Sequence, residues 1–321
     1  MPRSVVSVGT FDGVHAGHAA LLARARAIAD QNADTEVVVL AFDPHPATCL
    51  RPESAPPRLG SFERRVELLR EAGADRVERL EPTAELLAQS AESFVASIVA
   101  RLAPIAFVEG PDFRFGKGRA GDISVLASLG QRYGFTLEVV PSVAVALNDQ
   151  SIVTASSTIA RWLIQRGRVR DAWAVLTRPH ELTGRIVRGD RRGRDLGFPT
   201  ANLESPCLPP ADGIYAGVAY LDDARSFAAA VSVGTKPMFS GDARVVEAYL
   251  LDAPTGDGPC LAGLPEYGWN LRLALVGWVR EQLRFESVQV LIAQMHRDCD
   301  RVRDIVARIS TPEVAAAGAH A

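Results

Sequence analysis

The pattern of apolar residues changes once along this chain, near Thr177, and that change constrains the fold more than any other feature. Before it, short β-branched runs such as "SVVSVG" and "EVVVLAF" alternate with longer stretches whose apolar residues recur at helical spacing. Strands that alternate with helices indicate a parallel sheet covered by helices on both faces. We therefore expect an α/β domain over residues 1–180, closed by one helix over 157–176, with ligands bound beyond the carboxyl ends of its strands.

After the change the apolar segments become short and alternating, as in "IYAGVAYL" and "NLRLALVGWVR". Short strands at a spacing of about 8–12 residues, separated by turn residues, are typical of a small antiparallel β-barrel or a sandwich. The segment 286–309 then repeats apolar residues at i, i+3 and i+4, which predicts a packed terminal helix. The second domain is expected over residues 181–310, followed by a loose tail over 311–321.

Bulk properties narrow the classes of function. The 321 residues are enough for two domains with separate cores. A net charge of −3 argues against a dedicated nucleic-acid binder, and four widely separated cysteines indicate neither a zinc site nor a disulfide framework. The sequence shows neither an apolar run of about 18 residues nor a signal-peptide pattern. We expect a cytoplasmic protein, a monomer or weak homo-oligomer, that binds small molecules and neither nucleic acid nor membrane.

The junction between the first strand and the first helix, "VGTFDGVHAGHAALLARA" (8–25), is unusually rich in glycine and histidine. The free amides and the dipole at a helix start near His15 form a natural anion site. His15 and His18 are three residues apart and project from one side of the first turn, while Gly17 removes a side chain where a phosphate would approach. Imidazolium groups there would stabilise charge that develops on a phosphoryl group. The alternative is a tight turn with two solvent-facing histidines.

Three further segments stand where a ligand site in this architecture needs them. They are "FDPHP" (42–46), "EGPDFRFGKGRAGD" (109–122) and "ASSTIARW" (155–162). The first contains His45, the second joins Phe113 and Phe115 to a charged loop, and the third begins a helix with capping serines and Arg161. A structural histidine, a solvated loop and a plain helix cap are the respective alternatives. Because all these segments fall on one edge of the predicted sheet, we interpret them as parts of one site.

The second domain contains a cationic loop within "GRIVRGDRRGRDLGFPTANL" (184–203). Its glycines and arginines include Gly189, Arg191, Gly193 and Arg194. The loop suits phosphates, although it is not a Walker A loop. Thr200 and Asn202 are two residues apart in an extended segment, so both point to one face, where two neutral oxygens suit Mg²⁺ bound to nucleotide phosphates. A polar strand end is the alternative.

A carboxylate interrupts the strand-forming run "RVVEAYLLD" at Glu247. Burying a lone carboxylate is costly, which favours a functional interpretation. As a general base, Glu247 would take the proton from a hydroxyl nucleophile. The alternative is a glutamate on the exposed face of an alternating strand.

These motifs together resemble one family. "GTFDGVHAGH" is similar to the HxGH nucleotidyltransferase signature and "SSTIAR" to the SSTxIR element, while "FDPHP" and "GPDFRFG" are similar to two flavin-side loops. In the second half, "GRDLGFPTANL" resembles the riboflavin kinase signature, "VVEAYLLD" the strand with the catalytic glutamate, and "WVREQLRF" the segment before the last helix. The chain thus resembles, nearly end to end, the bifunctional bacterial riboflavin kinase/FMN adenylyltransferases, also called FAD synthetases.

The resemblance implies a Rossmann-like nucleotidyltransferase domain followed by a riboflavin kinase-like barrel. It implies that the barrel phosphorylates riboflavin with MgATP to give FMN, and that the first domain joins FMN to ATP to give FAD and pyrophosphate. Lys236, Met238 and the long segment 253–266 depart from the family pattern. They motivate one alternative, an FMN adenylyltransferase whose β domain is a flavin-sensing regulatory module. A non-catalytic flavin carrier is the other.

The resemblance also implies the roles of individual residues. Those for ATP in the first domain are Gly9, Phe11, Asp12, His15, Gly17, His18, Ser157, Thr158 and Arg161, with His15, His18 and Arg161 catalytic. Those for FMN are His45, Pro46, Asp112, Phe113 and Phe115. In the second domain Glu247 is the catalytic base, Thr200 and Asn202 hold the metal, and the kinase substrates contact Gly189, Arg191, Gly193, Arg194, Thr200, Asn202 and Arg280.

Overall fold

The computed structural model describes residues 3–189, 191–235, 244–254 and 261–309, without the side chains of Arg192 and Asp195. The chain divides into two compact units. Unit 1 comprises Met1–Pro57, Phe62–Val145 and Ile152–Ser157, and unit 2 comprises Arg58–Ser61, Ala146–Ser151 and Thr158–Ala321. The domain boundary near residue 180 stays a prediction, and the two units are described in turn.

Unit 1 is built on a five-stranded sheet in which every neighbouring pair is parallel. The strands are β1 (Arg3–Gly9), β2 (Thr35–Phe42), β3 (Arg76–Leu80), β4 (Pro104–Glu109) and β5 (Thr136–Val139), in the order β3-β2-β1-β4-β5. The helices are α1 (Ala16–Asp30), α2 (Ala47–Leu50), α3 (Phe62–Glu71), α4 (Ala84–Ala88), α5 (Ala91–Leu102) and α6 (Ile123–Tyr133). A two-stranded sheet of β6 (Ala144–Ala146) and β7 (Ile152–Thr154) follows.

Side chains of alternate residues in the central strands pack into two separate hydrophobic cores, one on each face of the sheet. Val5 and Val39 pack with apolar residues of α1 and α3, whereas Val6 and Val38 pack with those of α5 and α6. Both faces are therefore covered, which confirms the predicted α/β architecture. The strand order reverses between β1 and β4, so the carboxyl ends of these two strands flank the crevice where this fold binds ligands.

Unit 2 contains a closed barrel of six antiparallel strands, which decides between the predicted barrel and sandwich. In the order β10-β11-β12-β9-β8-β13, the strands are β8 (His180–Val187), β9 (Ala201–Glu204), β10 (Gly213–Tyr220), β11 (Ser226–Thr235), β12 (Arg244–Leu250) and β13 (Asn270–Arg280). The remaining helices are α7 (Ser157–Ile164), α8 (Val169–Leu176), α9 (Arg192–Asp195) and α10 (Val288–Ile309). The predicted terminal helix is thus confirmed as α10.

The prediction of one helix over 157–176 is wrong, because the segment forms two helices, α7 and α8. The break contains Gly167, whose φ of +73° is left-handed. A Cβ there would also lie 2.9 Å from the hydroxyl of Tyr215, so the position requires glycine on both counts. The break also has a local signal in the sequence, because residues 165–168 contain no apolar residue and include Gly167.

Helix α10 covers one side of the barrel. Its buried residues Cys299 and Val302 pack with Ala216 and Val276 of the barrel strands. Arg280, at the end of β13, donates from Nε and Nη2 to both carboxylate oxygens of Asp298 on α10, at 2.7–3.0 Å. This bidentate ion pair anchors α10 to the barrel.

Candidate functional site

The first candidate site begins where β1 ends and α1 starts. His15 is the N-cap residue of α1, and its Nδ1 accepts a hydrogen bond of 3.2 Å from the backbone N–H of Gly17. The imidazole of His15 is stacked on that of His18, with 3.7 Å between ring centroids, and the ring of Phe11 packs at 5.0 Å from His18. The two histidines therefore share one face of the helix start, as the spacing predicts.

Gly17 favours this arrangement. A Cβ at this position would lie 3.1 Å from both Cε1 and Nδ1 of His15, closer than most side-chain contacts. The glycine thus lets the His15 ring fold over the first turn, which the sequence analysis did not anticipate.

The other ATP-side residues of unit 1 form the loop before the helix. Gly9 ends β1, Phe11 is buried with a left-handed φ of 48°, and Asp12 is also buried. Ser157, which also belongs to unit 1, donates from Oγ to the backbone carbonyl of Asp12 at 2.7 Å and so holds this loop. Thr158 and Arg161 are grouped with unit 2, and their roles at the histidine site stay predictions.

The "FDPHP" segment follows β2 and turns into α2. The Nδ1 of His45 accepts from the backbone N–H of Ala47 at 3.0 Å, and Pro46 is the N-cap residue of α2. Before them, the buried carboxylate of Asp43 lies 3.3 Å from Nη2 of Arg65 on α3. The backbone and an ion pair thus hold this loop in place.

The loop after β4 presents one of its two phenylalanines. Phe115 is only 6% exposed and exchanges two backbone hydrogen bonds with Gly121, which closes the loop into a bridge. Phe113 is partly exposed and stacks on Phe115 with 5.2 Å between centroids. Asp112 is exposed. Phe113 and Asp112 are therefore the accessible members of this segment, while Phe115 supports them from the core.

Glu109, at the end of β4, is a residue that the sequence analysis left without a role. Its side chain is 2% exposed, and its carboxylate accepts a hydrogen bond of 2.8 Å from the backbone N–H of Val8 on β1. The pairing of β1 with β4 reaches only to Val6, so the carboxylate bridges the strands where they separate. Burial raises the pKa of Glu109 well above its ordinary value, and the Val8 hydrogen bond only partly opposes this. A glutamate that ends an apolar run, as in "IAFVE", is the sequence signal.

The second candidate site is a cavity of about 310 Å³ at one end of the barrel. Its walls come from the loop after β8, from β9 and β12, and from the segment before β13. Among the predicted kinase residues, those that line it are Gly189, Arg191, Arg194, Thr200 and Asn202. The structure thus brings the cationic loop and the Thr/Asn pair to one cavity.

Glu247 stands beside this cavity. The hydroxyl of Thr200 donates to Oε2 of Glu247 at 3.4 Å, and Glu247 on β12 pairs directly with Asn202 on β9. Residues directly opposite on antiparallel strands share a face, so the carboxylate and the carboxamide are neighbours. Ala248, the next residue of β12, lines the cavity.

Gly189 is required by the close approach of the cationic loop to β9. A Cβ at Gly189 would lie 2.3 Å from the carboxamide atoms of Asn202. Any other residue would displace Asn202, so the glycine keeps the loop directly over the Thr/Asn pair.

Arg191 and Arg194 of the loop share one carboxylate. Oε1 of Glu266 accepts from Nη2 of Arg194 at 2.7 Å and from the hydroxyl of Tyr267 at 2.9 Å, while Nη2 of Arg191 lies 3.2 Å away. The Arg194 hydrogen bond above all, together with that from Tyr267, lowers the pKa of Glu266. The sequence analysis missed this residue, because 72 positions separate Glu266 from Arg194 and no local pattern joins them.

Other predicted features lie away from the cavity or outside the described residues. Arg280 does not line the cavity and is bound to Asp298. Lys236, Met238 and residues 255–260 of the long segment lie outside the described ranges. Among the residues that the structure describes, no group of three or more His, Cys, Asp or Glu side chains could hold a metal ion.

Two family models match successive parts of the chain. A family model described as FAD synthetase matches residues 1–156, and one described as riboflavin kinase matches residues 176–306. A crystal structure described as a macrolide-efflux protein from Streptococcus pneumoniae is 26% identical, covers 94% of this chain and 95% of its own, and has a TM-score of 0.80. Across the described residues of this chain, no helix is long and apolar enough to cross a membrane.

Curated relatives match both halves at once. A bifunctional riboflavin kinase/FMN adenylyltransferase from Escherichia coli K12 is 30% identical over 296 residues, 92% of this chain and 90% of the relative. One from Pseudomonas fluorescens is 32% identical over 306 residues, which cover 94% of this chain and 93% of the relative. One from Listeria monocytogenes is 30% identical over 311 residues, which cover 96% of this chain and 94% of the relative. The chain therefore belongs to the family of bifunctional riboflavin kinase/FMN adenylyltransferases.

Proposed function

We propose that the two candidate sites catalyse consecutive steps, with unit 2 converting riboflavin to FMN and unit 1 converting FMN to FAD. The observation that carries this proposal is that each unit holds its own set of reactive side chains. In unit 1, His15 caps a helix start and is stacked on His18 of the first turn, whereas in unit 2 Glu247 stands beside the Thr200 hydroxyl at a cavity.

In the kinase step, Glu247 acts as the general base. Its carboxylate removes the proton from the 5′-hydroxyl of riboflavin as that oxygen attacks the γ-phosphorus of ATP. The bond to the β-phosphate oxygen breaks, and ADP leaves. Arg191 and Arg194 on the cavity wall bind the phosphates.

The donor set beside Glu247 fits Mg²⁺. A hydroxyl from Thr200 and a carboxamide from Asn202 offer neutral oxygens at the cavity wall, next to a carboxylate, and magnesium prefers oxygen ligands shared with substrate phosphates. Thr200 and Asn202 would hold the ion, which when bound neutralises charge on the phosphates.

In the adenylylation step, the phosphate of FMN attacks the α-phosphorus of ATP, and pyrophosphate leaves. The nucleophile is already ionised, so this step needs charge stabilisation rather than a base. His15 and His18 provide donors at the positive end of α1, where charge develops on the α-phosphate. We assign the ribityl and ring contacts of FMN to His45, Pro46, Asp112 and Phe113, with Phe115 behind Phe113, and further ATP contacts to Thr158 and Arg161.

We also propose that the enzyme is cytoplasmic and acts on small-molecule substrates. Both steps are expected to require Mg²⁺. A direct test incubates the protein with riboflavin, ATP and magnesium and separates FMN from FAD by chromatography. Both flavins are expected, and chelation of magnesium should stop both. FAD from added FMN, with no product from riboflavin, would instead support an adenylyltransferase with a flavin-sensing β domain.

A further inference from the structure

Arg65 is a buried cation that neither reaction uses. It lies on α3, on the face that also carries Leu68 and Leu69, and its side chain is 5% exposed. A guanidinium removed from water is costly unless charged and hydrogen-bonding partners surround it. Its partners therefore indicate what it does.

The guanidinium of Arg65 binds the ends of two neighbouring strands. Its Nη1 donates to the backbone carbonyls of Thr10 and Phe42, both at 2.9 Å. The pairing of β1 with β2 ends at Gly9 and Ala41, so these are the first carbonyls beyond it. The hydrogen bonds from Arg65 thus take the place of the β1–β2 backbone hydrogen bonds at the point where these two strands separate.

These two strand ends lead directly into the two candidate substrate loops. Thr10 begins the loop that ends at His15, and Phe42 precedes Asp43, two residues before His45. Nη2 of Arg65 also faces the Asp43 carboxylate at 3.3 Å. One side chain therefore contacts the base of the histidine loop and the base of the "FDPHP" loop.

A neighbouring aromatic ring and a second arginine support this arrangement. The Arg65 guanidinium lies 5.5 Å from the ring centroid of Phe62, and Arg79 packs over the same ring at 4.0 Å. Arg79 also lies 3.7 Å from the other carboxylate oxygen of Asp43. The planar fork of a guanidinium can serve two carbonyls and a carboxylate together, which a single ammonium point charge does less well.

We propose that Arg65 is a positioning residue for adenylyl transfer, which sets the distance between the ATP held by the histidine loop and the FMN held by the "FDPHP" loop. It touches neither substrate and acts through Thr10, Phe42 and Asp43. The inference rests on the proposed function of unit 1. It implies that each loop binds its own substrate without Arg65, but that the two reacting phosphates are misaligned.

The test compares Arg65→Met with Arg70→Met, a matched change at an exposed position of the same helix. With Arg65→Met, kcat for FMN to FAD should fall about 10- to 100-fold, since a misplacement of about 1 Å can cost up to about 100-fold. The dissociation constants of ATP and of FMN, each measured alone by calorimetry, should change less than about threefold. The rate of riboflavin phosphorylation by unit 2 and all values for Arg70→Met should stay at wild-type level.

An unchanged kcat for Arg65→Met would overturn the inference. So would a fall in kcat matched by weaker binding of both substrates, since that pattern indicates a general loss of structure. If Arg65→Met does not fold, Arg65→Gln, which is uncharged and shorter than arginine but keeps an amide group, is judged by the same criteria. Wild-type protein that makes no FAD from FMN would refute the proposed function as well, whereas active wild-type with an unaffected variant refutes the positioning role alone.

Discussion

Arg194 donates a hydrogen bond of 2.7 Å to Glu266 at the wall of the barrel cavity. The arginine that is proposed to bind phosphate is therefore already paired with a carboxylate. Under the proposed function, the phosphates of ATP compete with Glu266 for this arginine. Replacing Glu266 with Gln should therefore lower the KM for ATP in the kinase step by about two- to fivefold, the scale of a partly exposed ion pair. Steady-state kinetics with riboflavin measure this, and Asp223→Asn, which removes an exposed partner of Arg225, is the control. A raised KM would mean that Glu266 instead organises the loop for binding.

The two reactions should respond separately to substitutions in the two units. Glu247→Gln removes the base but keeps size and polarity, so riboflavin phosphorylation should fall about 10²–10⁴-fold while FMN adenylylation stays intact. His18→Ala should lower adenylylation about 10²–10³-fold and spare the kinase. Assays of each variant with each flavin give four rates. If either substitution depresses both steps alike in folded protein, the two-site assignment is wrong.

The two phenylalanines of the loop after β4 should differ in effect. Phe113→Ala removes a partly exposed ring and should raise the KM for FMN much more than that for ATP. Phe115→Ala removes a buried ring packed near Phe94 and should lower the free energy of unfolding by about 3–5 kcal/mol. Kinetics and chemical denaturation of both variants separate these roles. Equal increases in the two KM values for Phe113→Ala would reduce the loop to a structural neighbour.

The buried carboxyl of Glu109 should make stability depend on pH. Because its pKa is raised in the folded protein, ionisation opposes folding increasingly as pH rises from the ordinary value of 4.5 through the raised one. Glu109→Gln cannot ionise and can still accept from Val8. The difference between the Tm of Glu109→Gln and the Tm of the wild type should therefore become more positive as the pH rises from 5 to 8.5. Thermal unfolding with Glu85→Gln, an exposed control, tests this, and a difference that does not change with pH would contradict it.

The ion pair between Arg280 and Asp298 should contribute to the stability of unit 2. Asp298→Asn leaves a largely buried guanidinium without its charged partner and should lower the free energy of unfolding by about 3 kcal/mol. Asp300→Asn on the same helix removes an exposed carboxylate and should cost less than about 0.5 kcal/mol. Urea titrations measure both. Equal values would show that the bidentate contact adds little.

Periodicity along the sequence predicted the elements well, because alternation and helical spacing reflect which face is buried. The shared face of His15 and His18 at α1 was likewise predictable, since a helix start has fixed geometry, whereas the packing of Gly17 against the His15 ring was not. Long-range partners were not. Nothing local in "FERRVELLRE" shows that Arg65 reaches Thr10 and Phe42, although a cation on the apolar face of a helix is a signal to look for. Burial is another property that the motif did not show, because Phe115 packs into the core, and its predicted contact with FMN stays a prediction.

The helix cap formed by His15 also has a consequence for where its proton resides. Since Nδ1 accepts the N–H of Gly17, the neutral imidazole must carry its hydrogen on Nε2. A second proton on Nδ1 would remove the acceptor from that amide. The cap thus selects one tautomer and one ring orientation before any nucleotide arrives, and His15 can act as a hydrogen-bond donor at Nε2 without first becoming a cation.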